Sequence, residues 1–155
     1  MMKITYGRGF VFHRDKVDLL QSYIDMAPQV DCKTRWYFAP GICAREIIIP
    51  AGTVLIGAVH KTKNIAVLSS GRMILATHSG PIEIYAPYTL TVMPGDKNAT
   101  TALENCVWTN FFPNPDNEQN TNKLVERYCE SKESDLLGGE TNKQLAANRA
   151  VELEE

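Results

Sequence analysis

The feature that most constrains this chain is the stretch 42–112, where short β-rich runs are each closed by glycine or proline. Glu46-Ile47-Ile48-Ile49 ends at Pro50-Ala51-Gly52, and an apolar run from Thr53 to His60 follows. Asn64 to Leu68 leads to the turn Ser69-Ser70-Gly71, and Arg72 to Thr77 to the turn His78-Ser79-Gly80-Pro81. Ile82 to Tyr85 breaks at Ala86-Pro87, Tyr88 to Val92 at Met93-Pro94-Gly95-Asp96, and Val107 to Phe112 at Pro113. Strand-sized runs with turn signals about every 8–12 residues predict an antiparallel sandwich or small barrel. No helical pattern lies between the runs, which excludes a doubly wound parallel sheet.

The flanks read differently. Residues 15–27 place Val17, Leu20, Ile24 and Ala27 at helical spacing, with Pro28 as a stop. Trp36 to Gly41 reads as an aromatic turn entering the strand region. Its Trp36, Tyr37 and Phe38 are expected to plug one end of the barrel. Residues 113–120 read as a polar linker, followed by a short helix from Thr121 to Ser131 carrying Leu124, Val125 and Tyr128. Thr141 and Gln144 have capping-box spacing, and the helix they open, through Leu153, has a thin apolar face. The expected division is an N-terminal arm with a short helix (1–35), a β-barrel (36–112), and a linker with a helical tail (113–155).

Composition narrows the function classes. Among 155 residues, 16 Lys+Arg stand against 18 Asp+Glu, a formal charge of −2. Binding duplex DNA through its phosphates needs a concentrated basic face, so no nucleic-acid partner is expected. No apolar run approaches the roughly 20 residues of a membrane span, so no membrane association is expected. The opening Met1 to Gly9 lacks the apolar stretch of a secretory signal, which predicts a chain made in the cytoplasm of its host cell. Cys32, Cys43, Cys106 and Cys129 form no C-x-x-C pair and read as buried reduced thiols. Phosphate-loop and nucleophile-elbow motifs are missing from the sequence.

The run Ile49-Pro50-Ala51-Gly52 to Gly71, followed by Pro94-Gly95, resembles the two motifs of the cupins, small jelly-roll barrels. His60 stands at the first histidine place, Gly71 at the closing glycine, and Met93-Pro94-Gly95-Asp96 at the turn of the second motif. More narrowly, Tyr37 to Gly41, Ala44-Arg45-Glu46, His60 to Gly71 and Val107-Trp108-Thr109 resemble small cupin-like proteins encoded by bacteriophages. The resemblance implies a mainly β, cupin-like antiparallel jelly-roll barrel, with a short N-terminal helix and a C-terminal helical extension. It also implies a metal set that this chain has lost. Thr62 stands at the second histidine place, Asn64 at the acidic place, and Lys97 or Asn98 at the last histidine place. Neither metal nor cofactor is therefore expected, because a single imidazole does not make a first-row metal site.

With the metal set gone, the first expectation is a non-catalytic structural or protein-interaction module. The phage resemblance makes it virion- or assembly-associated, self-associating through barrel edges and terminal arms. Its expected partners are further copies of itself or other phage structural proteins. The alternative is a metal-independent small-molecule site, or a sugar-nucleotide-type isomerase or epimerase, near His60. Its ligand-binding candidates are His60, Thr62, Asn64, Tyr85, Tyr88 and Lys97. No catalytic residue is assigned. Glu83, between Ile82 and Ile84, is expected to face solvent. For the pair Arg45-Glu46, alternation sends one side chain inward and one outward without saying which.

Overall fold

A computed structural model describes residues 15–77, 79–131 and 144. Helix α1 covers residues 15–24 and ends in a turn at 25–27, just before Pro28. Nine strands follow: β1 (Thr34–Ala39), β2 (Gly41–Ile49), β3 (Val54–Ile56), β4 (Asn64–Ser70), β5 (Arg72–Thr77), β6 (Gly80–Tyr85), β7 (Tyr88–Val92), β8 (Ala99–Ala102) and β9 (Cys106–Asn114). Helix α2 (Thr121–Tyr128) comes after them. His78 and the tail helix expected from Thr141 lie outside the described residues, apart from the helical Gln144.

The strands form two antiparallel sheets. One has five strands in the order β1-β2-β9-β4-β7, and the other has four in the order β3-β8-β5-β6. The chain passes from one sheet to the other after β2, β3, β4, β6, β7 and β8. Alternating side chains therefore meet between the sheets. Ile47, Ile49, Leu68, Met73, Leu75 and Ile84 form the main core there. Burying each large aliphatic side chain stabilises by about 1.5–3 kcal/mol, which makes this interface the main source of stability.

The Gly71 turn shows how tightly the sheets are joined. Its φ of +87° is in the left-handed region, and an added Cβ would meet the Asn105 carbonyl oxygen and lie 2.8 Å from Cys106 Sγ. Only glycine fits such a position without strain.

Helix α2 is capped by Asn120, whose side chain accepts from the Lys123 backbone N–H. Its Leu124, Val125 and Tyr128 are buried with Cys43, Phe112 and Cys129 in a second cluster against the larger sheet.

Four readings of the sequence are corrected by the strands. The aromatic segment Trp36 to Ala39 is an edge strand paired with β2, and only Pro40 turns between them. Tyr37 is 48% exposed, so the segment is no barrel plug. The run from Thr53 to His60 is broken after Ile56, where the Gly57 N–H turns to the Asn98 carbonyl. The partner strand β8 (Ala-Thr-Thr-Ala) has too little apolar character to stand out. Strand β9 runs on through Pro113 to the buried Asn114, shortening the expected linker.

Candidate functional site

The inner face of the larger sheet carries an interrupted apolar pattern. Trp36 lies opposite Arg45, Arg45 opposite Asn110, and Asn110 opposite Ala66, a row crossing β1, β2, β9 and β4. Directly opposed residues share a face. Arg45 thus takes the inner face of β2 with Ile47 and Ile49. Glu46 takes the outer face, where it accepts from Tyr37 Oη at 3.3 Å and lies 3.9 Å from Arg35. A cavity of about 850 Å³ opens beside this row, lined by Trp36, Arg45, His60, Trp108, Asn110 and Phe112 among others. A volume of this order is that of a small-molecule site.

His60 is held in the cavity wall by backbone contacts on two sides. Its N–H donates to the Asp96 carbonyl at 3.2 Å, and its own carbonyl accepts from Gly95 N–H at 2.7 Å. The Pro94-Gly95 turn thus docks on it. On the other side it forms an isolated antiparallel bridge with Cys129, just after α2. The imidazole stacks over Phe112 (6.3 Å between centroids), which stacks in turn on Tyr128 (4.8 Å).

A chain of side-chain hydrogen bonds fixes the imidazole further. Trp108 Nε1–H donates to Asn110 Oδ1 at 2.9 Å. Asn110 Nδ2 donates to Asn64 Oδ1 at 2.8 Å, and Asn64 Nδ2 stands 3.1 Å from His60 Nδ1. An indole N–H can only donate, so the orientation of both amides follows from Trp108. Asn64 Nδ2 also donates to the Thr62 carbonyl, which can only accept. His60 Nδ1 is therefore the acceptor, and its proton sits on Nε2. Burial lowers the His60 pKa below 6.5, against a smaller opposing pull from Asp96, so the neutral ring is favoured.

The structure brings together two of the sequence candidates, His60 and Asn64. Lys97 also lines the cavity, with Nζ 2.5 Å from both Asp18 Oδ1 and Gln21 Oε1 of α1. Thr62 is exposed on the loop before β4. Tyr85 is 58% exposed in the smaller sheet, and Tyr88 packs against the main core. Neither tyrosine lines the cavity. Sequence reasoning passed over Asn110, Trp108, Phe112 and Tyr128. The signal was present: alternation along β9 puts Trp108, Asn110 and Phe112 on one face, where a lone carboxamide needs a built partner.

The residues at the metal places of the cupin resemblance do not fit a metal ion. His60 Nδ1 already accepts from an amide, Asn64 presents an N–H toward it, and Lys97 brings a cation. Among the described residues, no three His, Cys, Asp or Glu side chains converge as a ligand set.

No protein-family model matches the chain, and no curated protein sequence matches it. Solved structures do. A cupin-2 domain protein from Shewanella frigidimarina superposes with a TM-score of 0.44 at 12% identity, over 61% of this chain and 92% of that one. An RmlC-like cupin from the same organism gives 0.47 at 13% identity, over 59% and 80%. Ectoine synthase from P. lautus gives 0.47 at 14% identity, over 56% and 68%. The chain is thus similar in fold to cupin-domain proteins. These neighbours include an enzyme, and similar structures include regulators of transcription. A shared fold carries no shared activity.

Proposed function

We propose that this chain is a metal-independent small-molecule-binding protein whose site is the cavity beside His60. The carrying observation is the cavity itself, about 850 Å³ with His60, Arg45 and two indoles in its wall. The expectation of a non-catalytic structural module started from the loss of the metal set, which leaves the cavity itself unaccounted for. Space of this size beside oriented polar groups favours the alternative.

Binding fits the geometry better than isomerase or epimerase chemistry. A histidine base needs a free lone pair and an acid across the substrate. His60 Nδ1 is engaged by Asn64, and its other nitrogen carries the proton. Tyr128, the tyrosine in the wall, already donates its hydroxyl to the Pro113 carbonyl.

The test is a fragment screen by NMR on the full chain, with and without EDTA. Ligands are expected to shift the indole N–H signals of Trp36 and Trp108 and the imidazole signals of His60, whether or not chelator is present. A screen that leaves all of these unmoved would sink the proposal. Binding lost on adding EDTA would overturn its metal-independence.

A further inference from the structure

The larger sheet is apolar on both faces, although only its inner face meets the core. Directly opposed residues share a face. On the side away from Arg45 and Asn110, one row crosses the sheet as Tyr37, Ala44, Phe111, Ile65 and Thr91. Neighbouring rows set Ile42 beside Pro113 and Thr109 beside Val67. Ile42 and Ile65 are 42% and 51% exposed, so this outer face is open among the described residues. A strand with one wet face alternates apolar and polar residues, whereas a strand covered on both faces reads as a near-continuous apolar run. Ile42-Cys43-Ala44 and Ile47-Ile48-Ile49 in β2, and Phe111-Phe112 in β9, read the second way. The smaller sheet reads the first way: on its outer side Ile74 lies opposite Glu83, which pairs with Arg72 at 3.1 Å.

Three observations select the occupant. Among the described residues of this face, the charged ones are Arg35 and Glu46, which lie 3.9 Å apart toward the β1 edge and offset one another. Nothing on the face therefore recruits a charged partner. The ends of the described chain do not lead to it either: α1, where the chain enters, and Ser131, after α2, both line the cavity on the inner side. Finally, four strands about 4.8 Å apart and about six residues of roughly 3.4 Å rise give the apolar area on the order of 400 Å² in plan. That is the size at which an exposed patch marks an interaction site, and side-chain relief and the rim bring it toward the ~800 Å² per partner of a standard interface. A neutral, apolar sheet face is complementary to itself. From these features we infer that the outer face of the larger sheet is a homodimer interface, with two copies stacked sheet on sheet about 10 Å apart. Tyr37, Phe111 and Ile65 of each copy form its apolar centre, and the Arg35–Glu46 pair part of its rim. Each cavity lies on the other side of its sheet, so this inference stands apart from the binding reading.

The experiment is sedimentation velocity on the full chain, in a dilution series from about 100 µM to about 1 µM. The parent is expected to be a dimer at the upper end. Ile65→Lys puts a cation at the centre of the face, where stacking would bury it unpaired, and should raise the dimer dissociation constant about 100-fold or more. Ile42→Lys should act in the same direction and also serves if Ile65→Lys does not fold. Ile82→Lys, at an exposed position of the smaller sheet, should leave the dimer intact. All three side chains are exposed in the single chain, so the variants should keep the parent's circular dichroism. A parent that is monomeric at the top of the series would overturn the inference. So would a dimer that survives both Ile65→Lys and Ile42→Lys, since the contact would then lie elsewhere.

Discussion

At the scale of single residues, the site depends on which group can only donate. The indole of Trp108 sets Asn110, Asn110 sets Asn64, and Asn64 sets the tautomer of His60. The same burial has a pH signature. The folded His60 pKa lies below its ordinary 6.5, chiefly through desolvation, with Asp96 opposing. Between the folded value and 6.5 the unfolded chain binds more protons than the folded one, so stability rises with pH there. His60 should therefore lower stability as pH falls through 6.5 toward its folded pKa. The measurement is a set of urea midpoints from roughly pH 8 to pH 5, comparing the parent with His60→Gln. The variant should lose part of the acid slope, and identical slopes would refute the account. In the sequence, His60 and Asn64 could be singled out because a motif resemblance marked their places. For Asn110, alternation gives the face but not the partner, since nothing local says that a carboxamide in β9 will reach 46 residues back to Asn64.

At the scale of elements, α2 does more than decorate the sheet. Leu124, Val125 and Tyr128 close a cluster with Cys43 and Phe112, and the helix supplies cavity wall as well as core. Leu124→Ala deletes a fully buried side chain and should cost about 2–5 kcal/mol, read from denaturant unfolding. A loss below about 1 kcal/mol would mean the helix is loosely docked. This helix was legible because its three apolar residues fall on one helical face. Most strands were legible for the corresponding reason at period two. The exceptions have physical causes. Strand β8 is short and polar-looking, since Thr100 and Thr101 are half its length. The segment after Ile56 is as apolar as a strand, but Gly57 turns its N–H to Asn98 and takes it off the ladder. The aromatic run 36–38 looked like a plug because burial was inferred from residue type. As an edge strand it has only one covered face.

At the scale of the whole molecule, two sheets and α2 enclose all four cysteines. Cys32, Cys43, Cys106 and Cys129 are free and buried. Desolvation pushes the Cys32 thiol up to about 11 and raises the other three. Since the thiolate is the reacting species, native protein should be nearly inert to an aromatic disulfide reagent, and all four thiols should react once it is unfolded. A thiol that reacts quickly under native conditions would show that this part of the fold opens locally.

The bridge between His60 and Cys129 also bears on the order of assembly. Around it, Lys61 N–H donates to the Tyr128 carbonyl, Glu130 N–H to the Val59 carbonyl, and Lys61 Nζ to the Glu126 carbonyl 65 residues away. Closing so long a loop has an entropic cost that the local hairpins do not bear. During synthesis, β1 to β7 are made before β9 and α2 exist. A nascent chain thus carries most of its strands before it can complete its pocket, and competence to bind coincides with completion of the fold.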